Sequence, residues 1–289
     1  MTGASAGLAG VPFIHPGTLH TGVFGVIVVI GVLVGFVMLR RYGRRHEVDD
    51  DDLHALAFWV LVSGFVGAHV FDVLTYQPAE LARRPLLLLE LWNGLSSFGG
   101  FMGGAMGFTL FVRSRRLPIR EMADITMVGL LPAFTIGRIA CTVVSDHIGG
   151  IVDPTSWYAA LAMEYPRELN LGHLADRYPG SGETILAWNL GLLELACLLP
   201  INAVILMLAL RHGKTVRVGL LAALATFLYA PLRLALEFLR PEEMDPRCLP
   251  LTFAQWGSLL VGIFSLSLLI DILINGRPHA VITRSRARS

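Results

Sequence analysis

Val218-Gly-Leu-Leu-Ala-Ala-Leu-Ala-Thr-Phe-Leu-Tyr229-Ala-Pro231-Leu-Arg233-Leu-Ala-Leu-Glu237-Phe-Leu-Arg240 decides the class of this fold. The apolar run from Val218 to Phe238 is long enough to cross a bilayer as a helix. Arg233 and Glu237 interrupt it at spacing i, i+4, so they share one helix face, and Tyr229 and Arg240 extend the same stripe. An ionisable group at membrane depth costs about 2.5–3.5 kcal/mol on insertion scales, so it faces a protein interior or a wet cavity and marks a functional pathway. The stripe is therefore a candidate site, against the plainer alternative of a structural ion pair. Pro231 predicts a kink that frees a carbonyl near Tyr229 and Arg233.

Working outward, the rest of the chain has the same character. Of 289 residues, 54% are hydrophobic and 16% charged, well below the roughly 25% charged of a soluble domain. Seven apolar segments, at about 20–39, 53–75, 93–112, 122–143, 185–210, 218–238 and 255–274, predict an all-α integral membrane protein of one domain over 1–289. The runs are continuous, not alternating, which excludes barrel strands. Fifteen of the 23 Lys and Arg fall in alternate connections: Arg40–Arg45, Arg113–Arg120, Arg211–Arg217 and the tail. The positive-inside rule places these in the cytoplasm. The N-terminal segment 1–18 and the long connection 144–184 are then outside, and the basic tail 275–289 is cytoplasmic. Residues 1–18 lack the basic start of a cleavable signal, so the first span is expected to serve as its own membrane signal.

Three cysteines, Cys141, Cys197 and Cys248, make no framework, and nothing has the spacing of a zinc site, so no metal or cofactor is expected. The near-neutral charge gives no reason to expect nucleic acid. No internal repeat is apparent, which weighs against a solute transporter.

With the orientation set, Arg138, Arg233, Glu237, Arg240, His20, Asn93, Asp146 and His147 all fall in the outer half of the membrane or at its outer interface, and Glu194 lies about nine residues into the fifth span. Shallow arginines can simply snorkel to the headgroups, a reading that suits Arg240. It suits Arg138 less, because Gly137 beside it permits close helix packing. Two guanidiniums at one depth suit an anionic phospholipid headgroup, since each binds phosphate oxygens bidentately and stabilises charge on a phosphate leaving group. Gly99, Gly100, Gly103, Gly104 and Gly107 make the third span thin, for close packing or for an acyl chain. Trp157, Tyr158, Tyr165 and Tyr178 suit an interfacial belt. His69 and Asp72 share a helix face at i, i+3 and read as structural.

Several of these stretches together resemble the bacterial prolipoprotein diacylglyceryl transferase family. Gly137-Arg138-Ile139-Ala140, with Asp146 eight residues after the arginine and Asp124 fourteen before it, is similar to the family's signature. Tyr229, Arg233, Glu237 and Arg240 match its sixth-span motif, Leu251-Thr-x-x-Gln255-Trp-x-Ser258 the start of its last span, and Trp92-Asn-Gly to Gly100 the start of its third. Leu19-His20 corresponds to a Leu-His pair near its N-terminus.

The resemblance implies a transferase of the bacterial inner membrane. It would move the diacylglyceryl group of phosphatidylglycerol to the lipobox cysteine of preprolipoproteins, among membrane lipids and without metal or nucleotide. Arg138 and Arg233 would hold the headgroup, with Glu237, Tyr229 and Arg240 in support and Asn93 and Glu194 in the binding set. A thiol of ordinary pKa about 8.5 benefits from a base. Family members carry a histidine in a Ser-Phe-His-Gly-Gly stretch, where this chain reads Ser97-Phe98-Gly99-Gly100. His20 and His147 are the histidines that depth allows as substitutes, with the Asp146 carboxylate beside His147 to adjust its pKa. The alternative is a paralogue that binds anionic lipid and has lost transfer or uses another acceptor.

Overall fold

A computed structural model describes residues 18–90, 94–145, 147–166, 184–241 and 247–276. Its principal helices are α1 (Thr18–Arg45), α2 (Asp50–Tyr76), α3 (Pro78–Arg83), α4 (Ser97–Ser114), α5 (Ile119–Val144), α6 (Leu190–His212), α7 (Leu220–Glu237) and α8 (Phe253–Asn275). Six of them, α1, α2, α5, α6, α7 and α8, are long and apolar enough to cross a membrane. The protein is thus a multi-pass helical membrane protein. The third expected span, α4, falls short by composition because its five glycines dilute the apolar side chains. Val29 and Leu33 of α1, Phe58 and Phe65 of α2, and Ile263 and Phe264 of α8 are exposed, as lipid-facing side chains must be when the solvent is hydrocarbon.

The helices pack in pairs: α1 runs along α5, α2 along α4, and α7 along α8, with α5 also touching α6 and α7. Small residues set the distances. A Cβ on Gly31 would lie 2.9 Å from the Ala133 carbonyl oxygen, and one on Gly67 would lie 2.7 Å from both Gly103 Cα and the Gly99 carbonyl oxygen. Gly137, by contrast, meets nothing within 4 Å, so the close approach expected beside Arg138 belongs to Gly129 and Gly35 instead. The main core gathers Leu39, Leu53, Leu56, Ile125, Leu198 and Leu221, all buried. His69, fully buried on α2, places Nδ1 3.3 Å from the Gly94 carbonyl and Nε2 3.2 Å from the Leu87 carbonyl, pinning the connection that leads into α4. Asp72, on the same helix face, instead accepts from Gln77 Nε2 at 2.9 Å.

Between α5 and α6 the expected long loop contains a sheet. Strands β1 (Ile148–Ile151), β2 (Met163–Pro166) and β3 (Thr184–Asn189) pair antiparallel in the order β1-β3-β2, with Met163 opposite Ala187. Tyr165, Ile185 and Ala187 are buried on one side, and Tyr158 stacks on Trp188 on the other. The fifth segment therefore starts as strand, not as span: α6 begins at Leu190, and Asn189 caps it by accepting from Leu192 N at 2.9 Å. Residues 167–183, including Tyr178, lie outside the described part, as do 1–17 and 277–289. A short hairpin, β4 (Arg247–Cys248) with β5 (Leu251–Thr252), leads into α8.

One buried carboxylate fixes the start of α7. That helix has no side-chain cap of its own, and Asp124 from α5 supplies one, accepting from Gly219 N at 2.7 Å and Ala222 N at 2.9 Å. Replacing Asp124 by alanine strands two backbone donors, one buried and one part-buried. A loss of about 2–3 kcal/mol is expected, read as a lower unfolding midpoint in detergent, with Asp124→Asn milder because one acceptor survives.

Candidate functional site

The last turn of α7 carries the first charged cluster. Arg233 Nη1 lies 2.6 Å from Glu237 Oε2, so the i, i+4 spacing does make a pair. The carboxylate is buried, its side chain 1% exposed, whereas Arg233 keeps 17%. The other oxygen, Glu237 Oε1, accepts from Thr252 Oγ1 at 3.1 Å. Thr252 is itself locked as the N-cap of α8 by a capping box with Gln255, whose amide oxygen accepts from Thr252 N at 2.9 Å. One carboxylate thus joins the end of α7 to the start of α8. Arg233, Glu237, Arg240 and Thr252 line a small cleft together with Tyr76, Ser96 and Ser97.

Arg138 builds a second cluster, deeper in the protein. Its Nε lies 3.0 Å from Glu194 Oε2, an ion pair whose N–H does not run along the hydrogen-bond line. Both side chains are 5% exposed. Glu194 Oε1 accepts from the Tyr229 hydroxyl at 2.5 Å, the Arg138 guanidinium sits 4.7 Å over the Phe134 ring, and its Nη1 reaches Cys141 Sγ at 3.6 Å. Phe134 in turn meets Tyr229 edge-on at 5.5 Å. Three spans, α5, α6 and α7, are joined here through one carboxylate. Tyr229 stands four residues before Arg233 on α7 while its hydroxyl is held by Glu194, so the same helix carries a member of each cluster.

The structure therefore divides what the sequence reading had united. Arg233, Glu237 and Arg240 come together at the cleft, and Arg138, Glu194 and Tyr229 come together behind it. Glu194 is only four residues past the start of α6, because the strand takes the residues before it. His20 falls in the first turn of α1, and nothing of its side chain is described; Asn93 and Asp146 lie outside the described residues. His147 precedes β1, its carbonyl accepting from Leu190 N at 3.0 Å, and it is not among the cleft-lining residues. Among the described residues, no three His, Cys, Asp or Glu side chains gather as a metal-binding group.

Thr252, Ser96, Ser97 and Phe134 are the site residues that sequence reasoning missed. Thr252 was within reach, since Thr252-x-x-Gln255 ahead of an apolar run is a capping-box pattern. Two glycines complete the surroundings. Gly150 N donates to the Leu239 carbonyl at 2.8 Å, and a Cβ on Gly149 would lie 2.8 Å from that same oxygen and 2.9 Å from Trp188 Cβ. The sheet is thereby seated on the turn between Glu237 and Arg240. At Gly99, a Cβ would run into Phe71 Cβ and the Gly67 carbonyl of α2, so no side chain fits there as the helices stand.

Comparison with known proteins gives the same family throughout. The prolipoprotein diacylglyceryl transferase profile matches residues 12–271. The chain is similar to the phosphatidylglycerol–prolipoprotein diacylglyceryl transferase of Nitrobacter winogradskyi, at 33% identity over 243 residues, covering 80% of this chain and 75% of that one. The enzyme of the same name from Nitrobacter hamburgensis is 31% identical over the same shares. That of Synechococcus elongatus is 28% identical over 130 residues, 45% of each chain.

Removing one partner of a buried ion pair leaves the other charge in a poor solvent. Glu194→Ala is expected to destabilise the protein by about 3–5 kcal/mol, and the double variant Arg138→Ala/Glu194→Ala by clearly less than the sum of the two singles. Thermal or chemical unfolding of the four proteins in one detergent measures the coupling; strict additivity would remove the pair from the account.

Proposed function

The chain belongs to the prolipoprotein diacylglyceryl transferase family, and from that premise we propose how its charged cleft works. The protein transfers the diacylglyceryl group of phosphatidylglycerol to the thiol of a preprolipoprotein cysteine. In that step the sulfur forms a bond to the glyceryl carbon, the bond from that carbon to the phosphate oxygen breaks, and glycerol phosphate leaves with the thiol proton. Negative charge grows on the departing phosphate. What supports placing the phosphate in the cleft is the arrangement of Arg233 and Arg240 beside a buried carboxylate that Thr252 holds still.

The roles follow from the contacts. Arg233, part exposed, meets the phosphate, and Glu237 fixes its direction from behind. Arg240 adds a second cation at the rim. Glu237 is the carboxylate among the described lining residues, and we assign it the task of taking the thiol proton and passing it to the departing phosphate, ahead of His147, which is not among them. Arg138 acts at one remove: it pairs with Glu194, whose other oxygen holds the Tyr229 hydroxyl one helical turn before Arg233. The transmembrane arrangement that suits this chemistry has seven spans, with α4 as the third, the N-terminus outside and the C-terminus in the cytoplasm. The basic connections support that orientation, and the cleft then opens to the outer leaflet of the bacterial inner membrane.

The glycine at position 99 belongs to this account. Family members place a histidine there, and here α2 has closed over the position. The chain's own activation of the thiol therefore runs through the cleft residues.

Purified protein incubated with phosphatidylglycerol and a lipobox peptide is expected to yield the diacylglyceryl mass on cysteine. Arg233→Ala should lower that rate by about two orders of magnitude, as loss of a charge-stabilising donor does. Wild type that binds the lipid and yields no product would instead favour a paralogue with another acceptor. Gly99→His is expected to lower the unfolding temperature without raising the rate, the overpacking amounting to about 1–3 kcal/mol; a faster, equally stable variant would refute the close-packing explanation.

A further inference from the structure

The end of the bundle opposite Glu237 holds a second cleft that the transfer reaction does not use. It lies where α1 and α6 both end. Arg45 and Arg211 form its rim together with exposed His212, and Leu210 gives it an exposed apolar wall. Tyr42 and His46 are buried beneath, their rings 4.5 Å apart. The space is about 500 Å³, within the range of pockets that hold ordered ligands.

Its charge is one-sided. Two helix C-termini bring a partial negative charge of about half a unit each, which two arginines exceed before either histidine is counted. No carboxylate lines the cleft, and among the described residues none lies within salt-bridge distance of Arg45 or Arg211. The contrast with their neighbours is informative. On the same helix Arg40 pairs with Asp50, and Arg44 reaches Asp50 at 3.8 Å, while Arg115 reaches Asp52 at 3.7 Å. Among the described residues these arginines have a carboxylate within 4 Å, and the two at the cleft do not.

We propose that this cleft binds the phosphate of an anionic phospholipid, with the head held by Arg45 and Arg211 and the first part of an acyl chain along Leu210. A guanidinium pair supplies forked donors for phosphate oxygens, and a basic pocket between membrane helices is the known physical form of a headgroup site. The apolar wall favours a lipid over free phosphate, which would have no use for it. The site is independent of the transfer chemistry and of the cleft at Arg233.

Native mass spectrometry of the full chain in detergent, titrated with phosphatidic acid or with phosphatidylcholine, tests this. Wild type and Arg233→Ala should both retain a phosphatidic acid that Arg45→Glu/Arg211→Glu loses. Each basic residue near an anionic lipid surface is worth roughly fivefold in affinity, so the loss should exceed tenfold, with phosphatidylcholine binding unchanged. The double variant should keep transfer activity at saturating phosphatidylglycerol, which certifies its fold; if it does not fold, Arg211→Gln is expected to weaken binding about fivefold. Equal retention of phosphatidic acid by wild type and the folded variant would overturn the assignment. Displacement of the lipid by inorganic phosphate at physiological ionic strength would overturn it too, by making the ligand a free anion.

Discussion

Charge carried into an apolar interior has to be neutralised where it stands, and two arginine–glutamate pairs meet that requirement in different ways. Arg138 and Glu194 sit on different helices, so their pairing is also a tertiary contact: it draws α5 against α6, and Tyr229 adds α7. Arg233 and Glu237 sit on one helix, so their pairing fixes a side-chain direction and leaves the guanidinium part exposed. A buried pair is weak evidence for net stability, because desolvating both groups offsets much of their attraction. Its value here is positional. The deep pair cannot relax without unpairing two charges, and this gives the shallow pair a rigid wall to work from.

The second constraint is how closely backbones approach. α2 and α4 meet through Gly67, Gly99 and Gly103 at distances no side chain would allow. In a membrane, where lipid tails are as apolar as leucine, such contact and the hydrogen bonds around it are what hold helices together. The same closeness decides chemistry. With Phe71 and the Gly67 carbonyl filling the space at Gly99, no side chain fits at that position, and Ser96, Ser97 and Tyr76 are the residues from this side that line the cleft. A change at one glycine is thus also a change in which groups line the cleft.

Much of this was legible in the residues. Apolar runs located the six helices that are long and apolar enough to cross a membrane, because a membrane helix must satisfy every backbone group internally and so reads as one unbroken segment. The stripe from Tyr229 to Arg240 was visible because helical periodicity brings i, i+4 residues together. The pairing of Arg138 with Glu194 was not, since nothing local marks a partner so distant in the chain. Strand β3 was hidden for another reason: Ile185-Leu-Ala-Trp188 is short and apolar, and such a run reads equally as the start of a helix. The role of Gly137 was misjudged because sequence cannot say which face of a helix meets a neighbour, and in the fold that face is open.

The sheet that sequence reading passed over bears directly on the site. Its strand β1 hydrogen-bonds through Gly150 to the Leu239 carbonyl, in the turn that separates Glu237 from Arg240. Its strand β3 runs without a break into Asn189, which caps α6 and whose Nδ2 donates to the Thr142 carbonyl on α5 at 3.2 Å. Each cluster therefore has one foot in the sheet: Arg240 by way of Leu239, and Glu194 by way of the cap of its own helix. A sheet is stiffer than a loop of equal length, because each strand's backbone groups are tied to a neighbour. A movement that shifted β1 against β3 would displace Arg240 relative to Glu194. The geometry of two arginine sites on four spans thus depends on a small structure lying beyond the spans altogether.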